Sequence, residues 1–169
     1  MSFDEILKQV LKFEGGLKLH KNPTEDMETY AGIYRKAHPE WEGWKWIDRG
    51  ERPPFDLVKQ FYYENYYKPF ENIENDKVRA LLFETAVNLG VRQAVKIAQR
   101  LLGLSTDGII GPKTLKALNS VNPDDFLRDY TLARIAFYTS LANKNPKRYG
   151  IYLRGWINRA LEAMSLWVS

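Results

Sequence analysis

The sequence contains no cysteine and only two histidines, His20 and His38. Without cysteine the chain has no disulfide framework, no thiolate nucleophile and no thiolate metal ligand. A zinc site would need most of its ligands from Asp and Glu, which is unusual for a hydrolytic zinc enzyme. We therefore expect no metal and no cofactor, and we interpret both histidines as plain surface or loop residues.

Long apolar runs are also missing. No stretch approaches the length that spans a bilayer, so we expect no membrane insertion. Residues 1–5 lack the basic start, apolar core and cleavage site that open a signal peptide. The sequence therefore predicts a protein that is cytoplasmic when made, and that something else must carry or release if it acts outside the cytoplasm.

The overall composition is that of a globular protein. The chain has 169 residues, of which 44% are hydrophobic and 27% charged, enough for one domain or one domain with a small subdomain. A net charge of +4 suits an anionic polymer such as cell wall or nucleic acid. Because the basic residues are spread along the chain and form no stripe, we expect no nucleic-acid partner.

Helical periodicity dominates the pattern. Ser2 and Glu5 form a capping box ahead of an apolar stripe, and Gly15-Gly16 ends this first helix. Further helices are predicted over about 55–67, 76–89, 91–102, 113–118, 123–142 and 151–167. Residues 17–54 are irregular, and a small hairpin within residues 17–50 is compatible with them.

Glu14 is the most informative residue. It continues the apolar stripe of the first helix, because Phe3, Leu7, Val10 and Glu14 recur at spacings of four, three and four. Partial desolvation and the negative end of the helix dipole both favour the protonated carboxylic acid. General acid catalysis of glycoside cleavage needs such a group. From position alone, however, a glutamate that merely ends a surface helix is the more common case.

The motif around Glu14 adds a resemblance. Glu14-Gly15-Gly16, followed by Thr29-Tyr-Ala-Gly32-Ile33, resembles the opening of the glycoside hydrolase 108 lysozyme family. In that family the glutamate of E-G-G is the catalytic acid, and a threonine and then G-I follow after a short loop. The resemblance implies that Glu14 is the acid and that Thr29 is the threonine of the site.

The second half of the chain resembles the same family. Residues 86–90, 98–103 and 107–114 look like its peptidoglycan-binding-type module, and residues 154–159 look like its closing helix. The resemblance therefore covers nearly the whole chain. It implies an all-α, lysozyme-like fold in which residues 1–74 are the catalytic part and residues 75–169 the peptidoglycan-binding-type part, packed together as one unit.

The acidic loop departs from the family pattern. The family has D-P-G-G-x-T, whereas this chain has Asn-Pro-Thr-Glu-Asp-Met-Glu-Thr over residues 22–29. Glu25, Asp26 and Glu28 are each candidates for the carboxylate that positions water or stabilises the oxocarbenium-like transition state. Glu25 is favoured, because shifting the alignment to the family pattern by one residue places it at the position of the family's aspartate. A solvated acidic turn is the alternative for each of them.

Four residues are predicted to bind substrate. Trp44 belongs to a group of three tryptophans in the irregular segment, whose rings could stack on sugars, and Tyr30 adjoins Thr29. Trp156 lies in the last helix, and Asn88, just before a helix stop, could accept from a sugar amide. For the aromatic residues a core position is the alternative, and for Asn88 a helix cap.

The resemblance implies one activity and leaves two alternatives. It implies an endolysin-type muramidase, a monomer that hydrolyses β-1,4 bonds between N-acetylmuramic acid and N-acetylglucosamine in bacterial peptidoglycan. A holin or a secretion system is the partner that such an enzyme would need for release. A lytic transglycosylase would cut the same bond with one acid and no second carboxylate. A non-catalytic cell-wall-binding or secretion-accessory protein is the third possibility, and the altered acidic loop favours it.

Overall fold

The computed structural model describes residues 1–168. These residues are mainly helical and divide into two compact units, the first being Met1–Asn65 and the second beginning at Tyr66. The predicted all-α, lysozyme-like class is confirmed, including the small hairpin within residues 17–50. No helix among the described residues combines the length and apolar character that a membrane span requires.

Helix α1, Phe3–Phe13, opens the first unit. Its N-terminus is the predicted capping box, in which the Ser2 hydroxyl accepts from the Glu5 amide at 3.2 Å and the Glu5 carboxylate accepts from the Ser2 amide at 2.7 Å. Gly15 then takes a left-handed φ of 83°, and the Gly16 amide donates to the carbonyl of Leu11 at 2.8 Å. This Schellman-type ending fixes Glu14 as the last residue before the chain turns away.

A three-stranded antiparallel sheet follows α1. Its strands are β1 (Leu19–His20), β2 (Thr29–Tyr30) and β3 (Ile33–Tyr34), in the order β1-β2-β3. Ala31 and Gly32 connect β2 to β3 and both have positive φ, 51° and 78°. Two-residue hairpin loops favour this left-handed pair because its twist matches that of the strands.

Aromatic side chains form much of the core of the first unit. Trp41 is 9% exposed and stacks on Tyr30, with ring centroids 6.1 Å apart. Its ring also meets Trp44 edge-on at 5.3 Å and Phe61 at 6.4 Å. Helix α3, Phe55–Tyr62, contributes Phe61, Tyr62 and Val58 to this core. The short helix α2, Gly43–Asp48, lies inside a segment predicted to be irregular, and that part of the prediction is wrong.

The second unit is a helical assembly. A π-helix, Tyr63–Tyr67, and a short 3₁₀ helix, Lys68–Phe70, lead from α3 into it. Its helices are α4 (Asp76–Leu89), α5 (Val91–Leu101), α6 (Pro112–Leu118), α7 (Pro123–Lys144), α8 (Pro146–Tyr149) and α9 (Leu153–Trp167), with a 3₁₀ turn at Gly150–Tyr152. Helix α7 packs against α4, α5, α8 and α9. The predicted boundaries of these helices agree with the observed ones to within two residues, but α8 was not predicted.

The D-G-I-I-G-P segment is a turn organised by one buried glutamine. Gln99 is 1% exposed, and its Nε2 donates to Asp107 Oδ1 at 2.8 Å and to Thr114 Oγ1 at 3.1 Å. Its Oε1 accepts from the Gly108 amide at 2.9 Å. The predicted turn into a short helix is therefore confirmed, and Gln99 is the side chain that holds it.

Candidate active site

Glu14 is the C-cap of α1 and is half-buried. It borders a cavity of about 430 Å³ in the first unit. The cavity is lined by Phe13, Glu14, Gly15, His20, Asn22, Glu25, Thr29, Gly32 and Tyr34. The end of α1, the acidic loop and the sheet thus converge on one open space.

The sheet register explains three of the lining residues. Thr29 lies opposite His20 on β1 and opposite Tyr34 on β3. Residues directly opposite each other in an antiparallel pair present their side chains on the same face. One face of the sheet therefore supplies all three side chains. His20, interpreted from the sequence as a plain surface or loop residue, is exposed on β1 and lines the cavity.

The hairpin turn presses directly against Glu14. A Cβ atom on Gly32 would lie 2.9 Å from Glu14 Cβ and 2.5 Å from the Tyr62 hydroxyl, so only glycine fits. Tyr62 is 1% exposed, and its hydroxyl donates to the carbonyl of Ala31 at 2.6 Å. Helix α3 thereby holds the turn in place, and the turn forms a wall beside the Glu14 side chain. Neither Tyr62 nor this role of Gly32 was predicted from the sequence.

Among the acidic-loop residues, Glu25 lines the cavity. Its Oε1 accepts from Asn22 Nδ2 at 2.9 Å, and its amide donates to the carbonyl of Asn22 at 3.0 Å. Its Oε2 is buried without a hydrogen-bond partner among residues 1–168. A buried carboxylate oxygen that lacks a protein partner has capacity left for water or for a substrate hydroxyl.

The other two acids of the loop are engaged elsewhere. Asp26 is exposed and accepts from Lys36 Nζ at 2.9 Å, and this hydrogen bond holds the pKa of the Asp26 carboxyl below its usual range. Glu28 pairs with Arg35 at 2.5 Å, and Arg35 also makes a two-pronged contact with Asp48. Neither Asp26 nor Glu28 is among the residues that line the cavity.

Tyr30 and Trp44, predicted to bind substrate, are not brought to the cavity. Tyr30 is 4% exposed under Trp41, and burial raises the pKa of its hydroxyl. Trp44 is 2% exposed, and its Nε1 donates to the carbonyl of His38 at 2.8 Å. Their rings contribute to the core, which was the alternative interpretation, because both pack against Trp41, whose ring in turn contacts Phe61 of α3.

Asn88 and Trp156 belong to a polar and aromatic network in the second unit. Glu84 is fully buried and is bound by Arg134 through two hydrogen bonds, at 2.5 and 3.1 Å, and by Arg159 at 2.8 Å. Asn88 Oδ1 accepts from Tyr138 Oη and from Arg134. The buried Glu84 carboxylate is therefore balanced by two guanidinium groups.

Trp156 lies against the same network. Its ring stacks on Tyr138 with centroids 5.3 Å apart and is half-buried. Burial raises the pKa of the Tyr138 hydroxyl, while Arg134 opposes that shift. Neither Asn88 nor Trp156 lines the cavity that contains Glu14.

Metal ligands do not cluster in the described part of the chain. Within residues 1–168, no group of three or more His, Asp and Glu side chains has the arrangement that could hold a metal ion.

Comparison with known proteins assigns both parts of the chain. Residues 7–90 match the family model described as Glycosyl hydrolase 108, and residues 93–161 match the model described as Predicted Peptidoglycan domain. The structure of SagA from Brucella abortus is similar at 23% sequence identity and a TM-score of 0.74, over 96% of this chain and 91% of that chain. A comparison with curated proteins finds no match.

The cavity and the sequence comparison agree on one segment. Glu14, Glu25 and Thr29 all lie within residues 7–90. Residues 7–90 are a glycosyl hydrolase 108 domain, and the protein is a glycoside hydrolase that acts on peptidoglycan.

Proposed function

We propose that this enzyme hydrolyses the β-1,4 bond between N-acetylmuramic acid and N-acetylglucosamine, with Glu14 as the general acid. The observation that carries the proposal is the convergence of Glu14, Glu25 and Thr29 on one cavity. Glycoside hydrolysis uses two carboxyl groups, one to protonate the leaving oxygen and one to act on the opposite side of the sugar. In the first unit, Glu14 and Glu25 are both half-buried and both line the cavity.

The chemistry can be assigned to individual groups. Glu14 transfers its proton to the glycosidic oxygen as the bond from that oxygen to the anomeric carbon breaks, and positive charge develops on the sugar ring. The Glu25 carboxylate stabilises that charge or orders the attacking water, using the oxygen that has no protein partner. The Thr29 hydroxyl, 8% exposed on β2, hydrogen-bonds the same water. The water delivers hydroxyl to the anomeric carbon, and its remaining proton restores the carboxylic acid.

The test combines lysis with product analysis. Glu14→Gln should reduce clearing of permeabilised bacterial cells by about 10²–10⁴-fold, the usual cost of losing an acid catalyst. Glu51→Gln, at an exposed glutamate of the same unit, is the matched control and should keep full activity. The wild-type products should carry a new reducing muramic acid end. Anhydro sugars would instead identify a lytic transglycosylase, and more than about a tenth of the activity in Glu14→Gln would exclude Glu14 as the acid.

A further inference from the structure

A column of stacked rings leads from the interior of the second unit to its surface. Tyr138 is fully buried and stacks on Trp156. Trp156 stacks in turn on Tyr152, with centroids 5.8 Å apart and planes inclined by 28°. Tyr152 is 51% exposed. Because one face of the Tyr152 ring lies on Trp156, the column ends in an aromatic surface that solvent can reach.

The inner end of the column is rigidly held. The Tyr138 hydroxyl accepts from Arg134 Nε at 2.8 Å and donates to Asn88. Arg134 is itself fixed by the buried Glu84. A ring platform whose side chains are already ordered loses little conformational entropy when it binds a ligand.

The surroundings of the exposed ring are apolar and basic. Ile151 is 80% exposed beside Tyr152, and the Tyr149 ring lies 5.9 Å from that of Trp156. The guanidinium of Arg148 lies 5.1 Å from the centre of the Tyr149 ring. Lys147, Arg148 and Arg154 are exposed in this segment, and no acidic residue occurs between Asp129 and Glu162.

We propose that this surface, called here the ring platform, binds a peptidoglycan strand outside the Glu14 cavity. The platform consists of Tyr149, Ile151, Tyr152 and Trp156, with the basic side chains of Lys147, Arg148 and Arg154. The Tyr152 ring stacks on a sugar ring, and the basic side chains pair with carboxylates of the peptide stems. The proposal rests on the proposed function, since it takes peptidoglycan as the substrate.

The chemistry of the platform favours this ligand. A glycan strand offers flat, partly apolar sugar faces at regular intervals and free carboxylates on its stems, which matches an aromatic face next to cations. All platform residues lie within residues 93–161, the segment that matches the Predicted Peptidoglycan domain. A duplex nucleic acid would require a longer basic stripe than these side chains provide.

The test measures binding in the absence of cleavage. In a Glu14→Gln background, sedimentation with purified sacculi should show that Tyr152→Ala weakens binding about three- to tenfold, as expected for the loss of one aromatic stacking contact. Tyr152→Phe should bind like the parent because it keeps the ring. Ile109→Ala, at a 63% exposed apolar residue of the same unit, is the matched control and should also bind normally.

The charged part of the platform is tested separately. Lys147→Glu combined with Arg148→Glu should weaken binding at low salt, and the difference should disappear near 1 M salt, where the screening length is about 3 Å. Lys116→Glu, at an exposed lysine on α6, is the control. Thermal unfolding of the charge variants and of the two controls should match that of the parent, since those side chains are exposed. Tyr152→Ala also loses its stacking on Trp156 and should unfold at a slightly lower temperature.

The outcomes separate this proposal from the proposed function. With Glu14 restored, Tyr152→Ala should still cleave short soluble glycan fragments at the wild-type rate while clearing whole sacculi more slowly. If wild type cleaves no glycan, the proposed function fails, whereas binding to sacculi is still measurable. Unchanged binding in Tyr152→Ala overturns the ring platform. The ring platform is also overturned if Tyr152→Ala weakens binding to DNA or to anionic vesicles and leaves binding to sacculi unchanged.

Discussion

Gly32 lies so close to Glu14 that a Cβ atom at position 32 would sit 2.9 Å from the Cβ atom of the glutamate. The positive φ of Gly32, 78°, places its backbone there, and the Tyr62 hydroxyl closes the other side. The E-G-G and G-I motifs, far apart in sequence, therefore meet at one point. The hairpin turn limits where the Glu14 side chain can lie.

Gly32→Ala should impair catalysis more than it impairs folding. The added methyl must displace the Glu14 side chain or the Tyr62 hydroxyl, and a shift of about 1 Å at a catalytic group can cost about 100-fold in rate. Overpacking should cost about 1–3 kcal/mol in the free energy of unfolding. Gly50→Ala is the control, because Gly50 has a similar φ of 74° but nothing within 4 Å of its added Cβ. Equal activity in Gly32→Ala and Gly50→Ala would contradict the proposal that the turn at Gly32 positions the Glu14 side chain.

Tyr62→Phe should lower kcat severalfold and leave KM nearly unchanged. The variant removes the 2.6 Å hydrogen bond that holds the Ala31 carbonyl, so the turn beside Glu14 gains freedom. Leaving a buried carbonyl unsatisfied should also cost about 1–3 kcal/mol in the free energy of unfolding. Tyr130→Phe is the matched control, because its buried hydroxyl donates to the Ala94 carbonyl at 2.8 Å in the second unit. Tyr130→Phe should lower the stability and leave kcat unchanged. If its kcat falls as much as that of Tyr62→Phe, then Tyr62 affects catalysis through stability alone.

Glu25 should be the acid of the loop that catalysis needs. Glu25→Gln should reduce the rate by about 10²-fold, because its carboxylate lines the cavity with an unpartnered oxygen. Asp26→Asn and Glu28→Gln should each remain within about twofold of wild type, since these exposed or half-exposed pairs with Lys36 and Arg35 contribute little. Rates on purified sacculi measure all three. A severe loss in Asp26→Asn with a normal Glu25→Gln would reassign the second carboxylate.

Stability should fall as the pH rises above about 10, the ordinary pKa of tyrosine. Burial raises the pKa of Tyr130, so the folded protein keeps this proton while the unfolded chain releases it. The stabilisation is fully present below the unfolded pKa and is lost above it, by at most about 1.4 kcal/mol per pH unit for one such group. Denaturant unfolding of Tyr130→Phe between pH 9 and 11 should show a shallower slope. An unchanged slope in Tyr130→Phe would contradict this role of the buried hydroxyl.

Local sequence signals determined most of the helices. The Ser2 capping box, the Asn75 cap of α4 and the Asn122 cap of α7 each accept hydrogen bonds from the first turn of the helix that they precede. Such signals depend only on residues within one turn, so they can be recognised without knowledge of the fold. The position of Glu14 at the end of α1 follows in the same way from the glycines after it.

Which side chains meet at the site was decided by tertiary structure. Aromatic residues in an irregular segment suit a sugar cleft and a core equally well, and only the packing of Tyr30 and Trp44 against Trp41 assigned them to the core. Likewise, neighbouring acids in a loop are alike in sequence, and the partner Lys36 directs Asp26 away from the cavity.

The pairing of strands brought His20 to the cavity opposite Thr29, nine residues later in the chain. The buried contact between Glu84 and Arg134 spans 50 residues. Register and burial depend on contacts between segments that are distant in sequence. A side chain's role at the site therefore follows from which groups the folded chain places around it, because those groups determine its solvation, its hydrogen bonds and its access to substrate.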